Sequence, residues 1–524
     1  MSKEILKFCL EKGLLVDDDV LNLFNDVGDL DSVKLIMEKI RTDTNQNMIT
    51  RNVLEKNKEK VSRFIVGLPK EKQKVLEKFR VKLGLSIEIE AEIIAPKGVP
   101  SNIKNNSSEG KSVVRISPET KYDYHKVEVK DFVKYFRNRF EVMRNILQEH
   151  SELEGLTSIN KLSGNSQGVS IIGIVSSKQI TKNKNMILEV EDLTGKIKVL
   201  INANKPELFE KAEDIALDSV LGFRGSGNSE IFFTNEIIFP EAKLPEKKRS
   251  LVDESALFIG DLHFGSKRFL KKSFDKFIDW LNNSDDSKNV KYLFLVGDIV
   301  TGVGNYPNQE EDLVIGDLEE QFIALAKILG NIRNDIKIII SPGNHDGVRI
   351  MEPQPVFDEK YAWALHDLEN VILTENPAYV NIASGPGFSG FDILTYHGFS
   401  YTYYAGNIPS LITKKAMNCP EEIMKFLLKN RHLAPTHAST QYYPLEHDPL
   451  IIKKVPDVLI SAHTHKCGIN YYNNILIIST ACWEAMTPYQ EKFGNIPDHC
   501  KVPMLNLKTR EVKILDFEEK EEEG

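Results

Sequence analysis

The chain has 524 residues, of which 41% are hydrophobic and 27% charged; Lys+Arg is 67 against Asp+Glu 76, a formal net charge of −9. At roughly 150 residues per domain this predicts about three or four domains, and the composition excludes a wholly disordered chain. Taken whole, the negative charge argues against a nucleic-acid binder that works by bulk positive charge.

The charge is unevenly spread. Residues 1–250 hold 41 basic and 38 acidic residues, whereas residues 251–524 hold 26 basic and 38 acidic. Residues 51–82 carry 11 basic and 4 acidic residues, and the chain closes on EEKEEEG, an acidic tail over 518–524. No run of about 20 apolar residues predicts a membrane helix, so no membrane partner is expected. The start has no hydrophobic signal core. Cys9, Cys419, Cys467, Cys482 and Cys500 form no CxxC pair. The expectation is a cytoplasmic protein with free thiols, without a disulfide framework or zinc finger.

In chain order, the runs EILKFCLEKGLL and VGDLDSVKLIMEKI repeat apolar residues at three- and four-residue spacing and predict a helical N-terminal domain over 1–95. Its basic block fits a DNA-facing surface or an ordinary solvated helix face equally well. KGVPSNIKNNSSEGKSV has almost nothing to bury and marks a flexible linker over 96–125. A helix at 129–150 places Phe132, Val133, Phe136, Phe140, Met143, Ile146 and Leu147 on one stripe. Residues 168–240 turn to short strands broken by Lys-Asn, Thr-Gly and Gly-Ser-Gly-Asn turns. Five strands with one helical insert, PELFEKAEDI, match an oligonucleotide/oligosaccharide-binding (OB-fold) barrel, giving a helix-plus-barrel domain over 126–245.

From 255 onward the apolar runs ALFIG, YLFLVG, IKIIIS, FDILTYHG and DVLISAH alternate with loops and helical segments. They predict the central strands of an α/β sandwich flanked by helices over 251–517. A polar motif closes each run: GDLHFG at 260–265, GDIV at 297–300, GNHDG at 343–347, YHG at 396–398 and SAHTH at 461–465. Strand ends are where such sheets hold their ligands. Together they offer Asp261, His263, Asp298, Asn344, His345, Asp346, His397, His463 and His465.

Two divalent cations about 3.5–4 Å apart need a shared anionic bridge and mixed imidazole, carboxylate or amide ligands. The D-x-H of 261–263 and the H-x-H of 463–465 each put two side chains on one side of an extended chain. Asp298 is the natural bridge, one oxygen to each ion. Gly260, Gly297 and Gly343 would let the backbone approach the ions without a Cβ clash. Singly these motifs are weak; all five in this order, each at a strand end, point to a dinuclear centre. His432, His437, His447 and Cys467 lack that setting and read as ordinary packing residues. The tyrosines of 401–447 fit core packing as well as an interface.

The five motifs resemble the calcineurin-like metallophosphoesterase superfamily. The longer stretches GDIVTGVGNYPNQEEDL, SPGNHDGVR, RHLAPTHAST and ACWEAMTPYQ, behind a barrel, are similar to the small subunits of archaeal family D DNA polymerases. That resemblance covers about 125–515 and implies a metallophosphoesterase sandwich. It also implies a 3′→5′ proofreading exonuclease working beside a large catalytic subunit that polymerises. Primer-template DNA and single-stranded 3′ ends would be its substrates. A sliding clamp is a further candidate partner, although no clamp-binding peptide is evident.

Carried over residue by residue, Asp261, His263, Asp298 and His465 would hold one ion and Asp298, Asn344, His397 and His463 the other. Manganese is favoured, with iron or zinc as the alternatives. His345 would be the general acid for the leaving 3′ oxygen, and Asp346 would orient its imidazole. One position departs from the family: Ala462 stands where Gly-His-x-His usually begins.

Other readings compete. A catalytically silent structural B-type subunit would have lost ligands, and every ligand position is kept here. A double-strand-break-repair nuclease of the superfamily carries its phosphoesterase domain first, not after about 250 residues. A small-molecule phosphatase would not need the barrel.

Overall fold

The computed structural model describes residues 2–17, 20–21, 24, 29–44, 48–50, 54, 113–117, 120, 122, 125–164 and 166–519. The basic block at 51–82, nearly all of the linker stretch up to 112 and the last five residues of the acidic tail lie outside the described residues. The chain divides into two compact units, residues 1–107 and 108–524.

In the first unit, helices α1 (Ser2–Lys12) and α2 (Leu30–Thr44) and the two-residue parallel strands β1 (Leu15–Val16) and β2 (Met48–Ile49) are described. The periodic run EILKFCLEKGLL does not stay helical to its end. Gly13, at φ +65°, stops α1 in the left-handed conformation that glycine adopts without strain, and Leu15–Val16 turn into a strand. Ile5, Cys9, Val33, Ile36, Met37 and Ile49 form its core.

The second unit starts with a difference from expectation. Residues Val113–Ile116 of the predicted linker form strand β3, because two adjacent β-branched residues and Ile116 supply an edge. Helix α3 (Val129–Leu147) follows. Its buried face keeps most of the expected stripe: Phe140, Met143 and Leu147 are buried and Phe132, Phe136 and Ile146 pack against the cores, whereas Val133 is exposed. Tyr135 and Arg139 widen that face, and Arg139 has a buried partner in Asp448. Strands β4 (Ser166–Ile180), β5 (Met186–Glu191), β6 (Lys196–Ile201), β7 (Val220–Gly227) and β8 (Ile231–Ile238) close a barrel in the order β4-β5-β6-β8-β7. Helix α4 (Pro206–Glu213) sits between β6 and β7.

The remaining chain builds two six-stranded sheets. It contributes β9 (Ser255–Ile259), α5 (Lys271–Asn283), β10 (Val290–Val296), α6 (Leu318–Leu329), β11 (Lys337–Ser341), α7 (Glu359–His366), β12 (Val371–Leu373), β13 (Ala378–Ser384) and β14 (Phe391–Thr395). It continues with α8 (Tyr401–Asn407), α9 (Pro409–Thr413), α10 (Pro420–Asn430), β15 (Val458–Ser461), β16 (Gly468–Tyr472), β17 (Ile475–Ser479), α11 (Pro488–Phe493), β18 (Lys501–Asn506) and β19 (Val512–Asp516). The sheet orders are β12-β11-β10-β9-β18-β19 and β16-β17-β15-β14-β13-β3.

The expected mixed α/β sandwich is therefore present, and its apolar runs explain it. Alternate residues of one strand feed two different cores. In β10, Tyr292, Phe294 and Val296 face the interior between the sheets, while Leu293 and Leu295 pack outward with Phe274, Phe277, Phe322 and Leu325 of the helices. In β17, Leu476 and Ile478 face inward and Ile475 and Ile477 pack with α8 and α10 residues such as Tyr404 and Leu427. From Tyr292 to Val296 in β10 and throughout β17 every residue is buried, and these stretches stay apolar up to the strand end apart from the Tyr292 hydroxyl. The barrel joins this body directly: Ala216 and Ala242 share a core with Tyr404 and Leu428, and the Ala242 N–H donates to the Leu428 carbonyl at 3.0 Å. Tyr401, Tyr404, Tyr442 and Tyr443 are buried as core residues. Among the described residues no helix is long and apolar enough to cross a membrane.

Candidate metal centre

Strands β9, β10 and β11 run parallel, as do β14 and β15, so their C-terminal ends can point five loops at one place. The loops stay stitched together past the strands. Asp261 N–H donates to the Gly297 carbonyl at 3.0 Å, His263 N–H to Asp298 at 2.9 Å and Gly297 N–H to Ser341 at 2.9 Å.

Asp261 and His263, both at φ +47°, are not on an extended chain; nor are His463 at +69° and His465 at +57°. The same-side placement expected from a pleat comes instead from paired left-handed residues. Asp298 adopts φ +50° as well. Each such non-glycine residue costs about 1–3 kcal/mol, and such strain concentrates at functional sites. The glycine reading holds at two close approaches. A Cβ on Gly297 would strike the His397 ring, and one on Gly343 would strike Asp298. Gly260 also explains the Ala462 departure: a Cβ there would lie 2.8 Å from the Ala462 methyl, so the missing one leaves room for it.

Three groups of donor atoms form among the described residues, each closing to within 4.8 Å: Asp261, His263 and His465; Asp298, His397 and His463; and, linking them, His263, Asp298 and His345. His263 Nε2 lies 3.2 Å from His465 Nε2, and His465 Nε2 lies 3.9 Å from Asp261 Oδ1. Asn344 Oδ1 is 3.1 Å from His397 Nε2. Asp298 stands between the groups. Its Oδ2 is 3.3 Å from His397 Nε2 and 4.0 Å from His263 Nε2. Its Oδ1 accepts the His345 N–H at 2.7 Å. Oδ2 faces the imidazoles on both sides, while Oδ1 accepts a backbone N–H and keeps a lone pair.

Electrostatics favour a missing cation. Burial drives the Asp261 carboxyl well above the usual carboxylate range, and the neighbouring Asp298 charge adds to it. Burial likewise pushes His263 and His463 down to about 3, with His345 adding to the first and His397 to the second. For His397 burial acts against the charge, but Asp298 prevails and raises it to about 9. Asp261 Oδ1 is buried without any hydrogen-bond partner. A bound divalent cation would favour the ionised Asp261 carboxylate and take the imidazoles in the neutral form that burial already gives His263 and His463. Nitrogen and oxygen donors of this kind suit first-row divalent metals, so the residues fit the ions.

Second contacts fix the ligands. His397 Nδ1 is 3.2 Å from the Val296 carbonyl, and its N–H donates to Asn376 Oδ1 at 2.9 Å. Asn376 Nδ2 donates to Gln354 at 2.7 Å, and Gln354 Nε2 to the Gly343 carbonyl at 3.0 Å. Gln490 Nε2 lies 2.8 Å from His465 Nδ1. Sequence reasoning missed Gln354, Asn376 and Gln490, because single amides outside the motifs carry no spacing signal. The signal for Gln490 was its place at the end of ACWEAMTPYQ.

His345 sits at the half-exposed rim, its ring 4.8 Å from that of His263. Asp346 does not orient it. The Asp346 carboxylate accepts from Val300 N–H at 3.0 Å and Gly343 N–H at 2.7 Å, and so ties two loops together. Burial, with the Asp298 charge, raises Asp346 to about 7. His345 Nδ1 instead meets the Thr301 carbonyl at 3.1 Å and Asn305 Nδ2 at 3.2 Å. The residues set aside as packing are structural: His432 bonds Asp448 at 2.8 Å, and His437 bonds Tyr442.

The family model for calcineurin-like phosphoesterases matches residues 255–467. The chain is 36% identical over 410 residues to the DNA polymerase II small subunit of Methanothermobacter thermautotrophicus, covering 77% of this chain and 82% of that protein. It is 34% identical over 453 residues to that of Pyrococcus abyssi, covering 83% and 69%. It is 35% identical over 380 residues to that of Archaeoglobus fulgidus, covering 70% and 73%.

Proposed function

The chain belongs to the archaeal DNA polymerase II small-subunit family, and from that premise we propose that it is a 3′→5′ exonuclease that hydrolyses phosphodiesters beside a large polymerising subunit. The observation that carries the reading is the convergence of six candidate ligands from four strand ends on the buried Asp298 at a fifth. One ion would be held by Asp261, His263, Asp298 and His465, and a second by Asp298, Asn344, His397 and His463. Manganese is the proposed occupant. When bound, such ions activate water and neutralise the phosphate oxygens.

The chain's own residues supply the rest. His345 turns Nδ1 toward Thr301 and Asn305, which leaves Nε2 for substrate. As the P–O3′ bond breaks, the Nε2 proton of the imidazolium passes to the leaving 3′ oxygen. Asp346 holds the loop that carries Asn344 and His345. The closed barrel is proposed as an OB fold that, with the outer face of the sandwich, receives the large subunit and guides single-stranded or primer-template 3′ ends.

The test offers the full chain a single-stranded or 3′-mismatched primer with Mn²⁺, alone and with its large subunit. Metal-dependent release of 3′ nucleotides, strongly reduced in Asp298→Ala and His345→Ala, is the expected result. Equal activity in wild type and variants contradicts the site. No activity under any condition favours the silent structural subunit.

A further inference from the structure

The motif GDIVTGVGNYPNQ runs on past the candidate ligand Asp298 for eleven residues that no ligand role uses. We propose that Asn305 within it is a positioning residue for His345, holding the imidazole that, on the reading above, protonates the leaving oxygen. Asn305 Nδ2 lies 3.2 Å from His345 Nδ1, 3.4 Å from the His345 carbonyl and 3.0 Å from the Thr301 carbonyl. One amide thus bridges the loop after β10 to the loop after β11, at the ring itself.

The loop is built to keep Asn305 there. Its N–H donates to Gln309 Oε1 at 2.8 Å, and Gln309 Nε2 donates to the Thr301 carbonyl at 3.0 Å. Gln321 accepts the Gly302 N–H at 2.9 Å and donates to the Gly302 and Ile315 carbonyls at 3.2 and 2.8 Å. Both glutamines are fully buried. Gly302 has φ +70°, and a Cβ on it would strike the His345 carbonyl and the Asn305 amide. Two buried amides and a glycine therefore anchor the loop beside His345, while Asn305 itself lies exposed at the rim.

An amide is what this position requires. His345 Nδ1 lies between an acceptor, the Thr301 carbonyl, and a donor, Asn305 Nδ2. In the neutral ring protonated at Nε2, Nδ1 accepts from Asn305 Nδ2, and in the imidazolium Nδ1–H donates to the Thr301 carbonyl, so each state has its own partner. Aspartate would set a carboxylate against two carbonyl oxygens, and leucine would leave them without this donor. Misplacement of a catalytic group by about 1 Å can cost about 10²-fold.

General-acid help matters for a poor leaving group and little for a good one. The test therefore compares an oligonucleotide with bis(p-nitrophenyl) phosphate, using the full chain, Mn²⁺ and the variants Asn305→Ala, Asn305→Ser and His345→Ala. We expect Asn305→Ala to lose about 10- to 10²-fold in kcat on DNA with KM unchanged, and at least five-fold less on the activated ester, roughly the split expected of His345→Ala. Adding Asn305→Ala to His345→Ala should cost little more, because the two act as a unit. Asn305→Ser should show the same split and serves if the alanine variant fails to fold. Equal losses on both substrates would make Asn305 a structural residue, and no loss on either would remove it from the site; both overturn the proposal. A wild type inert on both substrates would instead bring down the phosphodiesterase reading and this proposal with it.

Discussion

Two clusters of buried histidine and aspartate lie in the same unit, and they differ in how their charges are met. Around Asp448 both carboxylate oxygens have partners, although Arg139 Nη2 is buried without one. Its Oδ1 accepts from Tyr135 Oη at 2.7 Å and Leu450 N–H at 3.0 Å; its Oδ2 meets Arg139 Nε at 2.6 Å and His432 Nε2 at 2.8 Å. Burial opposes the charge, but Arg139 and His432 outweigh it and hold the Asp448 carboxyl well below the usual range. Around Asp261 the opposite holds: one oxygen is orphaned, imidazole faces imidazole at 3.2 Å, and the carboxyl is pushed up. A structural cluster balances itself. The cluster at the strand ends balances only with cations added.

The largest effect should come from breaking the second cluster at its centre. Asp298→Ala should lower metal-dependent phosphodiester hydrolysis by about 10³-fold or more, equivalent to about 4 kcal/mol, measured as kcat/KM on an oligonucleotide. Breaking the first cluster should act on stability alone. Asp448→Asn leaves Arg139 buried without its counter-charge and should cost about 3–5 kcal/mol in denaturant unfolding while cation binding persists. Replacing both partners, as in Arg139→Met with Asp448→Leu, should recover part of that loss. Smaller again, ion for ion, is the gain from cation: Mn²⁺ at 100 times its Kd should stabilise the wild type by about 2.7 kcal/mol per bound ion, and Asp298→Ala should lose most of that gain.

The smallest effects are pH slopes, and the two kinds of carboxyl slope in opposite directions. Asp448 is depressed when folded, so its stabilisation is present above the ordinary carboxylate range and is lost as pH falls through its folded value. Glu352 is buried beside Tyr396 and raised by that burial to about 7 from 4.5. Its contribution is present below 4.5 and is lost as pH rises toward 7, by no more than about 1.4 kcal/mol per pH unit. Glu352→Gln should flatten the stability of the metal-free protein across that window, read as unfolding midpoint against pH.

The asymmetry between the clusters also separates what the sequence discloses from what it hides. Asp261, His263, Asp298, Asn344, His397, His463 and His465 could be found because the buried strands are largely apolar, so the polar residues that follow five apolar runs stand out. Arg139 could not: on a periodic helix an arginine reads as solvent-facing, and its partner Asp448 lies 309 positions away. Asp346 was misassigned because adjacency to His345 suggests contact, whereas the backbone turns its carboxylate to Val300 and Gly343. The strand at Val113–Ile116 was lost in a polar stretch, since four residues at a sheet edge carry too little pattern. The opening inference from net charge also changes. The acidity is concentrated in the half that would gain about four positive charges from two divalent cations.

The central claim is that the donors around Asp298 bind a pair of divalent cations. The most direct measurement is the stoichiometry and spin coupling of Mn²⁺ on the full chain by electron paramagnetic resonance during titration. Two ions per wild-type chain with a coupled spectrum, reduced to at most one uncoupled ion in Asp298→Ala, is the predicted result. No tightly held Mn²⁺, or the same two ions in both proteins, would contradict the account.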